Sequence, residues 1–205
     1  MRFALLALGT AALACSVGCS STPANQPDAA WVLNIDSGMS GTCNLVLATV
    51  MFGDVNATDP EKTVDNGAVV PDTASGAGGG SQMGATANVS CSVTGSATFA
   101  VSASASTSNG SESLTITIPS ITTTASETSP ATGSVSFADA NSTAGSGNVY
   151  SGDACNFYFK QKPESVAAGK VWGAFTCAAV TDNSETPPAV CAISESFFVF
   201  ENCSM

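Results

Sequence analysis

The sequence contains no histidine and only 5 lysine and arginine residues, against 16 aspartate and glutamate residues. Histidine is the commonest general base and the commonest metal ligand in proteins, so its absence argues against an enzyme. With a net charge of -11 over 205 residues, the chain offers no basic patch to the phosphates of a nucleic acid. Because 44% of the residues are hydrophobic, the acidic composition does not indicate a disordered tail.

The motifs of serine and phosphate chemistry are missing as well. A nucleophilic serine needs a nearby base, and neither the G-x-S-x-G nor the S-x-x-K spacing occurs. The phosphate-binding loop G-x-x-x-x-G-K-[ST] is also absent. Four carboxylates near aromatic segments leave a paired-carboxylate hydrolase as an alternative; they are Asp153, Glu164, Glu195 and Glu201. Scattered acidic residues usually form a solvated face, so we predict that the chain is not an enzyme.

The N-terminal apolar run is too short to cross a bilayer as a helix. It covers residues 3–14, about a dozen residues, and follows the positive charge of Arg2. This length and this preceding charge are typical of a signal peptide. The stretch over residues 20–30 is polar and interrupted twice by proline, which is typical of a tether.

Residues 16–19 (SVGC) resemble the lipobox of bacterial lipoproteins, in which a small residue precedes the cysteine that becomes the acylated N-terminus. Ser16 departs from the aliphatic residue that is usual at its position. Residues 12–15 (ALAC) form a competing lipobox with a similar departure, and an ordinary secretory cleavage after Ala14 is a third interpretation. Cleavage before Cys19 leaves an even number of cysteines in the mature domain, so we predict lipidation at Cys19.

This resemblance implies a location and a domain layout. A lipid on Cys19 implies attachment to a membrane of the bacterial cell envelope. In bacteria with two membranes, Ser20 in place of aspartate implies the outer membrane or the cell surface. Residues 1–18 are then the signal peptide, residues 19–30 a flexible tether, and residues 31–205 a single domain.

Six cysteines remain after residue 19, and in an oxidising compartment they predict three disulfides. A turn over residues 181–188 and the limit of about 7 Å between bridged Cα atoms favour three pairs: Cys43–Cys91, Cys177–Cys191 and Cys155–Cys203. A weak similarity between residues 43–47 and residues 155–159 favours Cys155–Cys177 instead. The C-x-x-C spacing of a zinc site is absent from these six cysteines, so a zinc cluster is not predicted.

From residue 31 onward, the sequence predicts short strands that are separated by clusters of glycine, proline, asparagine and serine. In residues 113–118, Leu114, Ile116 and Ile118 alternate with polar residues, the period of a half-buried strand. We predict an all-β fold, an antiparallel β-sandwich of the jelly-roll or immunoglobulin-like type. The predicted strands cover residues 31–35, 43–52, 85–93, 97–104, 113–118, 133–137, 155–160, 170–180 and 193–201.

Two further features are candidates for binding. An acidic loop offers oxygen ligands that calcium prefers, although its spacing departs from an EF-hand and also fits an ordinary turn; the ligands are Asp54, Asn56, Asp59, Glu61 and Asp65. Trp31, Trp172, Tyr150 and Tyr158 are able to stack on sugar rings, but core packing is the favoured interpretation. The segment of Phe and Val at residues 197–200 is apolar on both faces, which predicts a central strand.

The sequence therefore predicts a membrane-anchored surface lipoprotein with a non-enzymatic structural or interaction role. Its partners would be a membrane and a cell-surface glycan or protein, with no nucleic acid and no cofactor. The first alternative is a calcium-assisted carbohydrate-binding or adhesion module. The second alternative is a small secreted hydrolase that uses paired carboxylates.

Overall fold

The computed structural model describes residues 27–36, 43, 49–52, 87–107, 112–138, 149–160, 164–184 and 186–205. Within these ranges the chain forms ten β-strands and no helix. The strands are β1 (Asp28–Asp36), β2 (Thr49–Phe52), β3 (Ala87–Gly95), β4 (Thr98–Thr107), β5 (Ser113–Thr122), β6 (Ala131–Ala138), β7 (Val149–Tyr158), β8 (Ser165–Ala167), β9 (Lys170–Asp182) and β10 (Ala189–Glu201).

All ten strands belong to one antiparallel sheet, which curls into a half-barrel around its own core. The order is β2-β1-β10-β9-β7-β6-β5-β4-β3, and β8 pairs with β9 beyond the end of β7. The all-β, antiparallel prediction is confirmed. The finer prediction of a sandwich is not confirmed, since the ten described strands pair into a single curled sheet. Register shifts in β1, β4, β6 and β10 supply the local bends by which a single sheet can curl.

The inner face of the sheet carries the main hydrophobic core. In β5, Leu114, Ile116 and Ile118 are fully buried while Thr115 and Thr117 are exposed, as the alternation predicts. The same alternation in the neighbouring strands directs one row of side chains inward from each strand. The hydrophobic effect therefore acts on every strand through one face, which stabilises the curl.

Strands β9 and β10 are apolar on both faces. Phe198 and Phe200 point into the main core, whereas Phe197 and Val199 belong to a second cluster on the outer face. β10 lies between β1 and β9, which confirms the prediction of a central strand for residues 197–200. The second cluster contains Ala30, Val32, Tyr158, Trp172, Ala174, Phe197 and Val199.

A short set of backbone hydrogen bonds joins the edge strand β3 to strands in the middle of the sheet. Here β3 contacts the β8–β9 turn and the segment that follows β10. Val93 N donates to Ser204 O at 2.9 Å, Ser204 N to Cys91 O at 2.9 Å, and Gly169 N to Val93 O at 3.1 Å. Cys203 N donates to Gly169 O at 2.9 Å. We call these five residues the seam, and it closes the curl at this end of the sheet.

Three disulfides are present, as predicted, but two of the three pairings differ from every pairing favoured by the sequence. The bonds are Cys43–Cys191, Cys91–Cys203 and Cys155–Cys177. The predicted Cys177–Cys191 pair is wrong because the register of the β9–β10 hairpin places Ile193, not Cys191, opposite Cys177. Cys177 instead lies directly opposite Cys155 on β7, which confirms the pairing indicated by the internal similarity.

The remaining predicted pairs are wrong for reasons of sheet order. β3 lies at the edge of the sheet opposite β2, and the seam places Cys91 beside Cys203 rather than Cys43.

Strand boundaries differ in smaller ways. β1 begins at Asp28, inside the predicted tether, and Ala29 and Ala30 are buried. The three-residue strand β8 was not predicted, because three residues show no periodicity.

Candidate functional site

Two of the predicted sites lie outside the described residues. They are the lipidated cysteine Cys19 and the calcium loop with Asp54, Asn56, Asp59, Glu61 and Asp65. Both stay predictions. Within the described ranges no group of three or more histidine, cysteine, aspartate or glutamate side chains is arranged to hold a metal ion.

The structure brings together two of the four carboxylates considered for a hydrolase. Glu164 and Glu195 both contact Lys160: its backbone N donates to Glu164 Oε2 at 2.6 Å, and its Nζ lies 2.7 Å from Glu195 Oε1. Glu201 is apart from them and pairs with Lys170. Asp153 is exposed on β7. Glu164 and Glu195 are therefore the two of these carboxylates that meet at a common residue.

The other oxygen of Glu195 accepts a hydrogen bond from the hydroxyl of Tyr158 at 3.3 Å. Burial, followed by the charge of Glu195 and this hydrogen bond, raises the pKa of Tyr158 well above its usual range. The phenol therefore keeps its proton and acts as a donor. Asn34 Nδ2 donates to the backbone carbonyl of Glu195, and Asn34 N to Ser196 Oγ at 2.9 Å. These bonds hold the irregular part of β10 between Ile193 and Ser196.

The aromatic side chains considered for sugar stacking are all buried. Trp31 and Trp172 are 2% and 1% exposed, and Tyr150 and Tyr158 are 0% and 3% exposed. Phe137 stacks on Tyr150 with 5.4 Å between ring centroids, inside the core. Core packing of these residues is confirmed, and they provide no exposed platform for sugars.

Serine and threonine side chains form a regular wall of hydroxyl groups on the outer face of the curled sheet. Strand pairing places one serine or threonine beside the next across six neighbouring strands. This first row consists of Ser90, Ser104, Thr115, Ser136, Ser151 and Thr181. A second row consists of Ser92, Ser102, Thr117 and Ser134. All ten side chains are exposed or half-exposed. We call the two rows the hydroxyl wall.

The ten side chains of the hydroxyl wall are uncharged. Strands β3, β4, β5 and β6 contain no aspartate, glutamate, lysine or arginine, whereas Asp153 is exposed on β7 two residues after Ser151. In an ordinary sheet, outward-facing residues on neighbouring strands lie about 4.8 Å apart, and successive outward-facing residues along one strand lie about 6.8 Å apart. These are the spacings expected between the hydroxyl-bearing residues within a row and between the two rows. The sequence alone did not predict the hydroxyl wall. Alternating serine and threonine residues indicate which side chains of a single strand face outward, but only the pairing register shows that these side chains align from one strand to the next.

One open cavity of about 520 Å³ lies beside the seam. Its walls come from the β8–β9 turn and the C-terminal segment, and they include the ion pair of Lys170 and Glu201. The ammonium of Lys170 also lies 3.8 Å from the centroid of the Trp172 ring. Cys203 lines the cavity, and the exposed side chain of Met205 lies at its rim. We call it the C-terminal cavity.

Two further findings concern the chain beyond these surfaces. In the described part of the chain, no helix has the length and apolar character needed to span a membrane. Comparison of the sequence and the structure with known proteins finds no matching family model, no matching curated protein and no matching solved structure.

Proposed function

We propose that the chain is a bacterial surface lipoprotein, anchored to the outer membrane or cell surface through a lipid on Cys19. Its β domain has a non-enzymatic role, structural or in interaction with other surface molecules. The observation that carries the interaction role is the hydroxyl wall, a regular surface of ten hydroxyl groups whose larger part lies on four strands without charged residues, in an otherwise acidic protein. Three disulfides support a location outside the cytoplasm, where such bonds persist.

A neutral wall suits contact with another surface for an electrostatic reason. A net charge of -11 repels other acidic molecules at distances below the Debye length, about 8 Å at physiological salt. The wall presents hydroxyl groups in place of those charges, and hydroxyl groups lose less solvation energy on contact than carboxylates do. The protein therefore approaches a partner most easily through this wall.

The proposed anchor restricts where the wall can act. Cys19 precedes the start of β1 at Asp28 by a short tether, which spans roughly 30 Å when fully extended. The domain would therefore work close to the membrane, among the other molecules attached to it. A structural or adhesive role fits this location.

Metabolic labelling with a fatty acid tests the anchor. We expect the wild-type protein and the Cys15→Ala variant to incorporate the label, and the Cys19→Ala variant to lose it. Cys15→Ala is the matched control, because it changes the neighbouring cysteine of the same segment. An unlabelled wild-type protein, or label that survives Cys19→Ala, would contradict the anchor at Cys19.

A further inference from the structure

We propose that Cys203 is a site of thiol–disulfide exchange, and that reduction of its bond to Cys91 by a dithiol opens the half-barrel at the seam. The proposal goes beyond the proposed surface role and does not depend on the lipid anchor. It rests on two features of the described residues: the cavity beside Cys203, and the small number of bonds that hold the seam.

Access to this disulfide comes from the C-terminal cavity. Cys203 lines the cavity, and it is 7% exposed. Cys155, Cys177 and Cys191 are 0%, 1% and 0% exposed, and none of them lines this cavity. Cys91 is also 7% exposed, and Cys43 is half-buried but does not line this cavity. The cavity therefore brings open space beside Cys203 and its bond to Cys91.

The cavity wall contains both signs of charge. Lys170 and Glu201 form an ion pair there, and their side chains are 39% and 20% exposed. Because the two charges offset each other, we expect them to change the local concentration of an anionic reagent little. A dithiol reacts as its thiolate, so the order of reduction depends mainly on access to the sulfur atoms.

The exchange proceeds in two balanced steps. A thiolate of the dithiol attacks the sulfur of Cys203 and forms a mixed disulfide, while the bond to Cys91 breaks and its electron pair leaves with the Cys91 sulfur. The second thiol of the reagent, once deprotonated, attacks the reagent's own sulfur in the mixed disulfide and releases Cys203. The dithiol is oxidised to a cyclic disulfide, and its two protons end on Cys91 and Cys203.

Loss of this bond affects the seam more than the rest of the sheet. β3 is bonded to β4 along its whole length, but on its other side the described contacts are those of the seam. Without the disulfide, the described contacts between β3 and the segment after β10 are the few hydrogen bonds of the seam. Reduction of Cys155–Cys177 differs, because those residues are already paired within the β7–β9 ladder.

Limited reduction of the exported, oxidised full-length protein tests this proposal. The protein is treated with increasing dithiothreitol, free thiols are alkylated, and the modified cysteines are mapped by mass spectrometry. We expect Cys91 and Cys203 to be modified before the other four cysteines. Hydrogen exchange should then accelerate about tenfold or more at the amides of Val93, Gly169 and Ser204, while the β9–β10 ladder stays protected.

Two double variants provide controls. Cys91→Ser with Cys203→Ser should show the fast exchange at the seam without any dithiol, whereas Cys155→Ser with Cys177→Ser should keep the seam protected. If the first variant does not fold, the order of reduction in the wild-type protein still decides. Earlier modification of Cys43–Cys191 or Cys155–Cys177, or a seam that stays protected once Cys91 and Cys203 are free, would overturn the proposal.

Discussion

Tyr158, Lys160 and Glu195 show how a few residues stabilise an irregular strand. Glu195 lies where the β9–β10 register shifts, and each of its carboxylate oxygens accepts one hydrogen bond, from Tyr158 and from Lys160. Asn34 of β1 holds the backbone at the same place. Glu195, one of the four carboxylates that the sequence offered for paired-carboxylate chemistry, therefore lies at a bend of the sheet and helps to hold it.

At the scale of single residues, replacement of Tyr158 gives a pH-dependent prediction. Tyr158→Phe removes the hydrogen bond to Glu195 and should lower the free energy of unfolding by about 1 kcal/mol near neutral pH. The folded state raises the pKa of Tyr158, so its stabilising effect is complete below the unfolded-state value of about 10. Above that pH the unfolded phenol loses its proton while the folded one keeps it, and stability falls.

Urea unfolding of both proteins at several pH values, with the disulfides intact, measures this effect. We expect stability to fall more steeply above pH 10 in the wild-type protein than in Tyr158→Phe. Glu195→Gln is the matched control, because it removes the neighbouring charge and should reduce the alkaline loss. Equal alkaline slopes in the wild-type and Tyr158→Phe proteins would show that the interaction does not favour the protonated phenol.

At the scale of strands, β5 separates the inner and outer faces of the sheet most clearly. Ile116 is fully buried in the core, and Thr117 points from the adjacent position to the hydroxyl wall. Ile116→Ala should lower the free energy of unfolding by about 2–5 kcal/mol, because it leaves a cavity in the core. Thr117→Ala should cost less than about 1 kcal/mol. Comparable losses in the two variants, measured by urea unfolding, would contradict the assignment of faces.

The sequence predicted the direction of side chains correctly where a single strand has a clear pattern of polar and apolar residues. The alternation in β5 and the two apolar faces of residues 197–200 predicted where those side chains point. It was uninformative wherever the answer depended on which strands are neighbours. The disulfide between Cys91 and Cys203 requires the far edge of the sheet to meet the C-terminal segment, and no local pattern reports that contact. The same holds for the choice between one curled sheet and two facing sheets, since both give each strand one apolar face.

The hydroxyl wall is a property of the whole molecule. It needs the register of six strands. Its neutral part lies on β3, β4, β5 and β6, which contain no charged residue, while Asp153 is exposed beside it on β7. The three disulfides and the buried inner core stabilise the curled sheet, so we expect an approaching partner to meet the wall already formed. Preorganisation of this kind lowers the entropy lost on binding.

If the wall is the surface of interaction, added charge should abolish binding without unfolding the protein. We consider a triple variant with Ser104→Glu, Thr115→Glu and Ser136→Glu, three neighbours in the first row. These side chains point outward, so the change in the thermal midpoint should be small. Sedimentation with envelope fragments of the producing cells should fall at least about tenfold, because contact would bury unpaired carboxylates.

The matched control adds the same charge away from the wall, as Thr123→Glu, Thr124→Glu and Thr128→Glu at exposed positions of the connection between β5 and β6. This variant should sediment with envelope fragments as the wild-type protein does, because the wall is unchanged. Equal losses in the two triple variants would mean that overall repulsion controls the contact, and unchanged binding in the first variant would mean that another surface makes it. We expect only the first triple variant to lose sedimentation with envelope fragments, because only its new charges lie within the rows of the hydroxyl wall.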